Sequence, residues 1–481
     1  MKKIIILFLM GLLVYLSGCK LGPDFVKPQY SGPATFSYDT LANDTLVNLR
    51  WWELFRDPVL DTLITKALEN NKNVMVAAAR VEAARASLGY TKAEQWPSFS
   101  FSAGASRGNS IGTVQFASTS NSFYGFTQMN WEIGFWGKYR RLNEAARAEL
   151  LASEYGMRTV QIGLISEVAN AYFTLLDNMK KLEISQRTLA ARDSSMKIIQ
   201  ARFKYGVVPE IDLNQSQIQR AISAAAIPVY ERNIAYSKNA LAVLLGKYAA
   251  DIPVVTTVFD EVTPMKIPAG LPSQLLQRRP DVQQAEALYA AQNARIGAAQ
   301  AMRWPSLSLT GLLGVASSSL TSLTANGLGW SLGGALLGPV FEFGKNKRRV
   351  EIEKAKTAAA LHQYEQVTLQ AFKEVQDALI SIRTLHQELI AQNQRSRAAI
   401  NAEMLSYERY DKGETSFLEV LESQRQSFEA QLARSQTKAQ LLTAYVALYK
   451  ALGGGWLSPE EEKAFREAQQ TSGNGTGSAK K

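Results

Sequence analysis

The sequence predicts an α+β membrane protein that combines long antiparallel coiled-coil helices with four β-strands per chain. Three observations lead to this fold class. The chain of 481 residues contains an internal repeat at an offset of 207 or 208 residues. Each repeat contains a long stretch without proline, which favours a very long helix. Ahead of each stretch, apolar and polar side chains alternate with the period of a β-strand.

The first 18 residues have the features of a secretory signal peptide. Lys2 and Lys3 precede the apolar run IIILFLMGLLV, which is too short and wrongly flanked for a membrane-spanning helix. The run is followed by LSGC, which resembles the lipobox of bacterial lipoproteins and predicts lipid attachment at Cys19; a bystander cysteine is the alternative. Cys19 is the only cysteine, so the mature chain has neither a disulfide nor a thiol catalyst. An extended segment is expected over 19–54.

The charge balance is basic, with 53 Lys and Arg against 43 Asp and Glu and a formal net charge of +10. Such an excess fits nucleic acid, anionic lipid or an ordinary solvated surface. No helix-turn-helix, zinc or aromatic-rich single-strand-binding signature accompanies it. We therefore expect no nucleic-acid partner.

The repeat divides the chain. QWPSFSFSAG at 95–104 matches RWPSLSLTGL at 303–312, and Gly206 matches Gly413 within longer similar segments. We predict a first repeat over 55–270, a second over 271–457 and a polar disordered tail over 458–481. A period this long indicates two large lobes and disfavours a solenoid of many repeats.

The helices follow from the proline pattern. No proline lies between Pro97 and Pro209 or between Pro339 and Pro459. The predicted long helices would each be about 100 Å long, which favours coiling around partner helices. Pro228 predicts a kink in the first returning helix. The predicted helices are 138–205, 210–246, 345–412 and 415–452.

The strands follow from alternation. Met129, Trp131, Ile133 and Phe135 are apolar and alternate with polar residues. A soluble sheet with one wet face is the common alternative. Here aromatic residues gather at the strand ends, as in a membrane girdle, and with the lipoprotein signal they favour a membrane barrel. Four strands are too few to close a barrel, so several copies of the chain must contribute strands to one barrel. A dimer gives eight strands, a trimer twelve and a tetramer sixteen. The predicted strands are about 98–106, 122–136, 306–315 and 328–341.

A basic cluster follows the last strand of each repeat. NWEIGFWGKYRR at 130–141 and GPVFEFGKNKRR at 338–349 both turn basic after a glycine. These side chains are expected at the level of lipid headgroups, where phosphates attract them; ordinary solvated charges are the alternative. The cluster consists of Lys138, Arg140, Arg141, Lys345, Lys347, Arg348 and Arg349.

Signatures of catalysis are missing from the sequence. His362 and His386 are the only histidines, and neither has a partner at metal-binding spacing. The sequence has no glycine-rich phosphate loop, no Gly-x-Ser-x-Gly and no Cys-His pairing. We expect no enzyme activity, no cofactor and no metal site.

The block LPSQLLQRRPDVQQAEALYAAQNARIGAAQAMRWPSLSLTG at 271–311 resembles the signature of outer-membrane efflux channels of the TolC family, in the OprM-like lipoprotein branch. FRDPVLDTLITKALENNKNV at 55–74 resembles the matching segment of the first repeat. The resemblance implies a homotrimer with a twelve-stranded outer-membrane barrel and a periplasmic helical tunnel. It also implies a passive exit duct for small molecules, docked to a periplasmic adaptor protein and to an inner-membrane transporter, which for the branch it resembles is of the RND type.

The resemblance further implies site residues. Gly206, Val207, Gly413, Thr415 and Ser416 would form the periplasmic tip that meets the adaptor. The gate residues it implies are Glu419 and Glu422, as acidic rings that raise one another's pKa, and Tyr410 and Asp212, as hydrogen-bonding groups that hold the tip shut. Thr415 stands where the family has an arginine.

Two other functions remain open from the sequence. One is the exit channel of type I protein secretion, which shares the fold. The other is a lipid-anchored coiled-coil scaffold without a pore, which the alternating strands and lipid-facing aromatic residues disfavour.

Overall fold

The computed structural model describes residues 20–29, 51–111, 114–248, 259, 278–325 and 328–454. The predicted signal peptide, Cys19, most of the segment 19–54 and the tail 458–481 lie outside the described residues. In chain order, the elements are α1 (Pro58–Asn70), α2 (Lys72–Ala93), β1 (Ser98–Ile111), β2 (Val114–Ile133), α3 (Lys138–Lys204), α4 (Glu210–Leu244), α5 (Pro280–Ala301), β3 (Ser306–Ser317), β4 (Gly329–Leu337), α6 (Lys345–Asp411) and α7 (Phe417–Ala451), with short 3-10 turns at Trp51–Phe55 and Leu320–Ser322.

The four strands form one antiparallel sheet in the order β1-β2-β3-β4. β1 and β2 are a hairpin that remains paired as far as Ile111 and Val114. β2 also pairs with β3, with Ile133 opposite Leu307, and this pairing joins the two repeats. Within this sheet β1 and β4 each have a neighbour on one side only. The sheet of one chain therefore has two open edges.

The strand bounds correct the predicted ones. At their hairpin end β1 and β2 extend well beyond 98–106 and 122–136, because backbone pairing continues where the alternation fades into Ser, Asn and Gly. At its other end β2 stops at Ile133, before the predicted 136. β4 stops at Leu337, before the predicted 341. Pro339 follows closely and has no N–H to donate to a ladder.

The long helices α3 and α6 contain 67 residues each, or about 100 Å at 1.5 Å per residue. The bounds of α3, α4, α6 and α7 lie within two residues of the predicted limits. α4 continues through Pro228 as a single helix. In the described part of the chain, no helix is both long and apolar enough to cross a bilayer.

The chain divides into two compact units, and these do not coincide with the two repeats. Each unit therefore contains parts of both repeats. One physical reason is the β2–β3 pairing, which holds strands of both repeats in one sheet. The first unit comprises the described residues of Met1–Gln29, Ala79–Tyr155 and Gln283–Val367, and the second those of Tyr30–Ala78, Gly156–Val282 and Thr368–Lys481.

The core of the second unit is apolar and aromatic. The Trp51 ring stacks on that of Tyr449, with 4.9 Å between centroids. Phe55 packs against Phe173 at 5.1 Å. Buried residues of α1, α3, α4 and α7 complete this cluster. Large side chains fully removed from water each contribute about 1.5–3 kcal/mol, so this core holds four helices together.

Candidate functional site

Two glycine turns reverse the chain in the second unit, one between α3 and α4 and one between α6 and α7. Gly206 has a φ of +73° and Gly413 a φ of +78°. After Gly206 the amide of Val207 donates to the carbonyl of Arg202 at 2.8 Å, and the equivalent bond after Gly413 is 2.9 Å. This is the Schellman geometry, in which glycine adopts the left-handed conformation without a steric penalty. The duplicated glycines therefore produce duplicated turns.

A small apolar cluster links the two turns. Side chains from both hairpins contribute, so the two helix reversals share one core. Val207 lies outside this cluster and is 69% exposed. Thr415 is half-buried and Ser416 exposed, just before α7 begins. The cluster contains Ile199, Phe417, Val420 and Leu421, with Val208, Leu213, Tyr407 and Tyr410 packed against it.

Tyr410 lies at the edge of this cluster. Its ring contacts that of Phe417 at 5.3 Å, and the guanidinium of Arg202 lies 4.7 Å from the ring centroid. Within the described part of the chain, the buried Tyr410 hydroxyl has no hydrogen-bond partner. Asp212, in the first turn of α4, is half-buried. One chain therefore does not form the expected Tyr410–Asp212 bond, and the Tyr410 hydroxyl remains a donor in need of an acceptor.

Glu419 is held by groups of its own hairpin. Arg409 Nη1 donates to Glu419 Oε1 at 2.6 Å. The hydroxyl of Thr415 donates to the other carboxylate oxygen. Thr415 occupies the position where the family has an arginine, and in this chain Arg409 brings a guanidinium to the carboxylate instead. Sequence analysis missed Arg409 because its contact spans the turn.

Glu422 is also paired within its chain. Arg425 donates to both carboxylate oxygens, at 2.6 and 3.0 Å, and Gln426 donates at 2.7 Å. The bonds from Arg425 and then Gln426 lower the pKa of Glu422 to about 2. Within one chain the pKa of Glu422 is therefore lowered, whereas a ring of acidic residues was expected to raise it. The i,i+3 spacing of Glu422 and Arg425 was a sequence signal for this pair.

The first turn carries a basic cleft. A cavity of about 560 Å³ lies beside the end of α3 and the start of α4. Lys197 and Lys204 are exposed and form no ion pair with a carboxylate of the described chain. The corresponding positions of the second hairpin are Met404 and Asp411, so the two turns differ in charge. The cleft is lined by Lys197, Gln200, Ala201, Phe203, Lys204 and Leu213.

A buried polar layer, which sequence analysis also missed, crosses four helices of the second unit, α3, α4, α6 and α7. Arg192 on α3 is 2% exposed, and its Nη1 donates to the Gln219 carbonyl at 2.6 Å and to Ser223 at 2.7 Å. Burial lowers the pKa of Arg192 and raises the pKa of Glu403 on α6. The hydroxyl of Tyr407 contacts side chains of α3 and α7. Helical spacing alone does not distinguish such a buried arginine from a solvated one.

In the first unit, Arg141 corrects the prediction of a headgroup-facing cluster. Its side chain is only 1% exposed. Nε donates to the carbonyl of Leu21 and Nη2 to that of Gly22, both at 2.8 Å. The guanidinium also pairs with Asp24 at 3.2 Å and Glu144 at 3.1 Å. Arg141 therefore fixes the segment after Cys19 and does not face lipid.

The other members of the basic cluster are more accessible. Lys138 pairs with Glu132 at 3.0 Å. Arg348 pairs with Glu351 at 2.7 Å, and Lys347 lies 3.9 Å from the same residue. Arg349 is half-buried and donates to Asn346, whereas Lys345 and Arg140 are exposed. Lys138, Lys347 and Arg348 are thus partly balanced by carboxylates of the same unit.

An open-edged antiparallel sheet, two very long helices and two glycine-reversed hairpins together define a helix-and-strand channel of the outer membrane. The model of the outer membrane efflux protein family matches residues 63–247 and 271–454, one match in each repeat. The chain belongs to this family, and the predicted fold class, with its internal repeat, is confirmed. The protein is the outer-membrane channel of an efflux system in a Gram-negative bacterium.

Relatives and solved structures match almost the whole chain. The cation efflux system protein CusC of Escherichia coli is 33% identical over 453 residues, covering 92% of this chain and 96% of CusC. The toluene efflux pump outer membrane protein TtgC of Pseudomonas putida is 34% identical over 455 residues, covering 92% of this chain and 93% of TtgC. The crystal structure of the Campylobacter jejuni CmeC outer membrane channel has a TM-score of 0.85 at 26% identity, covering 93% of this chain and 98% of CmeC.

Proposed function

We propose that three copies of the chain close a twelve-stranded barrel in the outer membrane and extend it into the periplasm as a helical tunnel. The observation that carries this proposal is the pair of open edges at β1 and β4. In hydrocarbon each unpaired backbone group costs several kcal/mol, so an open edge must find a partner strand. A third copy brings the barrel well above the eight or so strands of the smallest spanning barrels.

The trimer acts as a passive exit duct and performs no catalysis. Its partners are a periplasmic adaptor protein and an inner-membrane transporter of the RND type, which supplies the energy. The substrates are small molecules such as drugs or other toxic compounds. The names of the relatives CusC and TtgC mention cations and toluene, two very different substrates, which fits a duct that leaves selection to its transporter.

Two alternatives have less support. A type I secretion channel would share the fold, but the matched relatives with substrates in their names are efflux proteins. A lipid-anchored scaffold without a pore has no use for the exposed apolar face of the sheet, where Phe99, Phe101 and Trp330 are each at least 69% exposed. Such a face fits a lipid environment.

The tip turns are the adaptor's docking site. Gly206, Val207, Gly413 and Ser416 are exposed and Thr415 is half-buried, so a partner can reach them. Because the first hairpin has a basic cleft and the second carries Asp411 at the position that matches Lys204, the adaptor meets two chemically different sites. We expect Lys204→Glu and Asp411→Lys each to change the salt dependence of adaptor binding, in opposite directions. Equal effects of the two changes would contradict this.

The gate combines polar contacts and acidic rings. The unpaired hydroxyl of Tyr410 and the carboxylate of Asp212 are available to meet when hairpins of the trimer pack together. Glu419 and Glu422 from three copies would bring six carboxylates towards one axis. Within one chain Arg409 donates to Glu419 and Arg425 to Glu422, and the bonds from Arg425 lower the pKa of Glu422. Such a constriction favours cations.

The membrane contacts have two sources. A lipid group on Cys19 anchors the mature chain in the outer membrane. The basic residues Lys138, Arg140, Lys345 and Lys347 closely follow the aromatic residues Trp136 and Phe343, at a level where lipid phosphates attract cations. Arg141 is not part of this contact.

The test is the native mass of the full-length protein, extracted from membranes in mild detergent and corrected for bound detergent. Three chains, together with ion conductance in planar bilayers, would support the duct. A stable monomer would leave open sheet edges in lipid and would favour the scaffold. A trimer without conductance would retain the assembly and overturn the duct.

A further inference from the structure

The residues directly after Cys19 are held firmly in the first unit. The amide of Leu21 donates to the carbonyl of Trp136, and Arg141 binds the carbonyls of Leu21 and Gly22. Gly22 lies so close to Gly297 of α5 that a Cβ atom on either would collide with backbone. This contact has no room for a side chain, which fixes the segment against α5.

Contacts on both sides of Gly22 extend this attachment. Lys20 pairs with Glu144 at 2.9 Å, and its bond to Glu144 raises the pKa of the Lys20 amine. Further along, the Phe25 ring contacts that of Tyr289 at 5.3 Å, and Lys27 pairs with Glu286 at 2.7 Å. The position of the chain is therefore determined up to the residue that follows the predicted lipid-attachment site.

A cleft opens beside this fixed point. Its volume is about 350 Å³, and it is lined by Leu21, Gln300, Arg303 and Trp304. The Trp304 ring packs against Trp136, with centroids 5.0 Å apart, just before β3 begins. Arg303 is exposed and forms no ion pair with a carboxylate of the described chain. The cleft thus combines hydrogen-bond donors with an aromatic wall at the end of a strand.

The dimensions and the chemistry of this cleft suit a glyceride. Successive Cα atoms are about 3.8 Å apart, so the Cα of Cys19 lies within about 7.6 Å of that of Leu21. A thioether-linked diacylglycerol starting there has ester carbonyls, which accept hydrogen bonds, followed by methylene chains. A cleft of this volume holds a small-molecule-sized group, which suits the glycerol and ester portion.

We propose that this cleft is the seat of the diacylglycerol group on Cys19. Gln300 and Arg303 donate to its ester carbonyls, and the Trp304 ring covers the first methylenes. The inference rests on the lipid attachment proposed above. It adds a specific binding site, which sets where the acyl chains enter the bilayer relative to the strands.

The internal repeat provides a contrast. At the matching positions of the first repeat, Gln95 replaces Arg303 and Trp96 is 72% exposed. Gly89 matches Gly297, but a Cβ atom there would meet nothing within 4 Å. In the described chain, therefore, the segment after Cys19 lies against the second-repeat position, and the close glycine contact exists only there.

The test uses cells that express the full-length protein and grow on a fatty acid with a photoactivatable diazirine near its carboxyl end. After irradiation, the purified protein is digested and analysed by mass spectrometry. We expect a cross-link that joins the Cys19 peptide to the peptide containing residues 300–304. Cross-linking of 300–304 to a free phospholipid alone would overturn the proposal, because another lipid would then occupy the cleft.

Variants make the result specific. The double change Gln300→Leu and Arg303→Leu removes both donors, and the loss of two hydrogen bonds should reduce the intramolecular cross-link about tenfold or more. Lys354→Leu, an exposed cation elsewhere in the first unit, should leave the yield unchanged. Equal cross-link yields from wild type and the double variant would overturn the proposal that this cleft binds the diacylglycerol. An N-terminal peptide without lipid would instead overturn the attachment itself.

Discussion

The phenolic oxygen of Tyr172 lies 2.7 Å from a carboxylate oxygen of Asp57, deep in the core of the second unit. Both side chains are fully buried. The other oxygen of Asp57 caps α1 by accepting from the amides of Val59 and Leu60 at 2.9 and 3.3 Å. One carboxylate therefore connects the start of α1 to α3, and burial followed by this hydrogen bond raises the pKa of Tyr172.

We expect Asp57→Ala to destabilise the protein by about 2–4 kcal/mol, because it removes a helix cap and leaves the Tyr172 hydroxyl buried without its partner. Tyr172→Phe should cost less, about 1.5 kcal/mol, since only one bond is lost. Thermal denaturation in detergent measures both. If the double variant were as unstable as the sum of the single ones, the two groups would not be coupled.

The glycine turns allow a test in which the same substitution has opposite effects. Gly206→Ala and Gly413→Ala should each destabilise by about 1–2 kcal/mol, because alanine is strained at positive φ. Surrounding space is open at both positions, so strain is the only cost. Gly163→Ala, within α3 and equally open, should stabilise by about 0.5–1 kcal/mol. Denaturation midpoints that shift in the same direction would contradict this explanation.

Arg141 and Arg348 form a natural pair for comparison. Each is followed three residues later by a glutamate that it binds, but only Arg141 also holds the segment after Cys19. We expect Arg141→Lys to release this segment, since a lysine cannot reproduce the planar multidentate contact. Chymotrypsin cleavage after Phe25, which lies in this segment, should accelerate at least about tenfold, as the loss of two or more hydrogen bonds implies.

The matching change, Arg348→Lys, should leave that cleavage rate unchanged. Equal acceleration in both variants would show that general loosening, and not the loss of these contacts, exposes Phe25 to the protease.

Single-channel conductance tests the proposed hydrogen bond between Tyr410 and Asp212 that holds the tip closed. Tyr410→Phe combined with Asp212→Ala should increase single-channel conductance, because a bond to a charged group stabilises the closed tip by about 1.5–3 kcal/mol. Tyr205→Phe is the control, since Tyr205 is 79% exposed at the neighbouring turn. Conductance that stays at the wild-type level in the double variant would remove Tyr410 and Asp212 from the gate.

The pH dependence of ion selectivity tests the pairing of Glu422 with Arg425. Its pKa is lowered from 4.5 to about 2, so its carboxylate should remain charged as the pH falls through 4.5 and become neutral only near 2. In Arg425→Gln the pKa should return towards 4.5. This variant should therefore be more cation-selective than wild type near neutral pH and lose the gain by about pH 3.5. Reversal potentials in planar bilayers measure the change.

Glu429→Gln is the control for this experiment. It removes the other carboxylate that Arg425 binds at 2.9 Å and leaves the pair with Glu422 in place. Its selectivity should follow the wild-type pH dependence. A matching acid sensitivity in both variants would mean that Glu422 does not face the permeating ions.

The sequence predicted the long helices within two residues because proline-free length and glycine stops are local properties. It also located four strands, since alternation is local too. The strand ends at Ile111 and Val114 were missed, because there pairing and not side-chain pattern maintains the strand. The fold class was therefore accessible from the sequence, whereas the extent of the sheet was not.

The site was less predictable for a related reason. Arg141 and Arg348 occupy equivalent positions in the repeat, and nothing local distinguishes them. One is buried because a segment 120 residues earlier in the chain lies on it. Arg409 reaches Glu419 across a turn, and Arg192 belongs to a layer built from four helices. Contacts that depend on tertiary packing leave no periodic signal.

The pairing of β2 with β3 also sets an order of events during biogenesis. When β2 has been synthesised as far as Ile133, its partner strand, which begins at Ser306, does not yet exist. The hairpin stays unpaired on one side while α3, α4 and α5 are added to the chain. Such late, non-local pairing is slow and leaves an aggregation-prone intermediate exposed. Passage of this protein across the periplasm should therefore depend on holding chaperones, and shortening the wait by circular permutation should reduce that dependence.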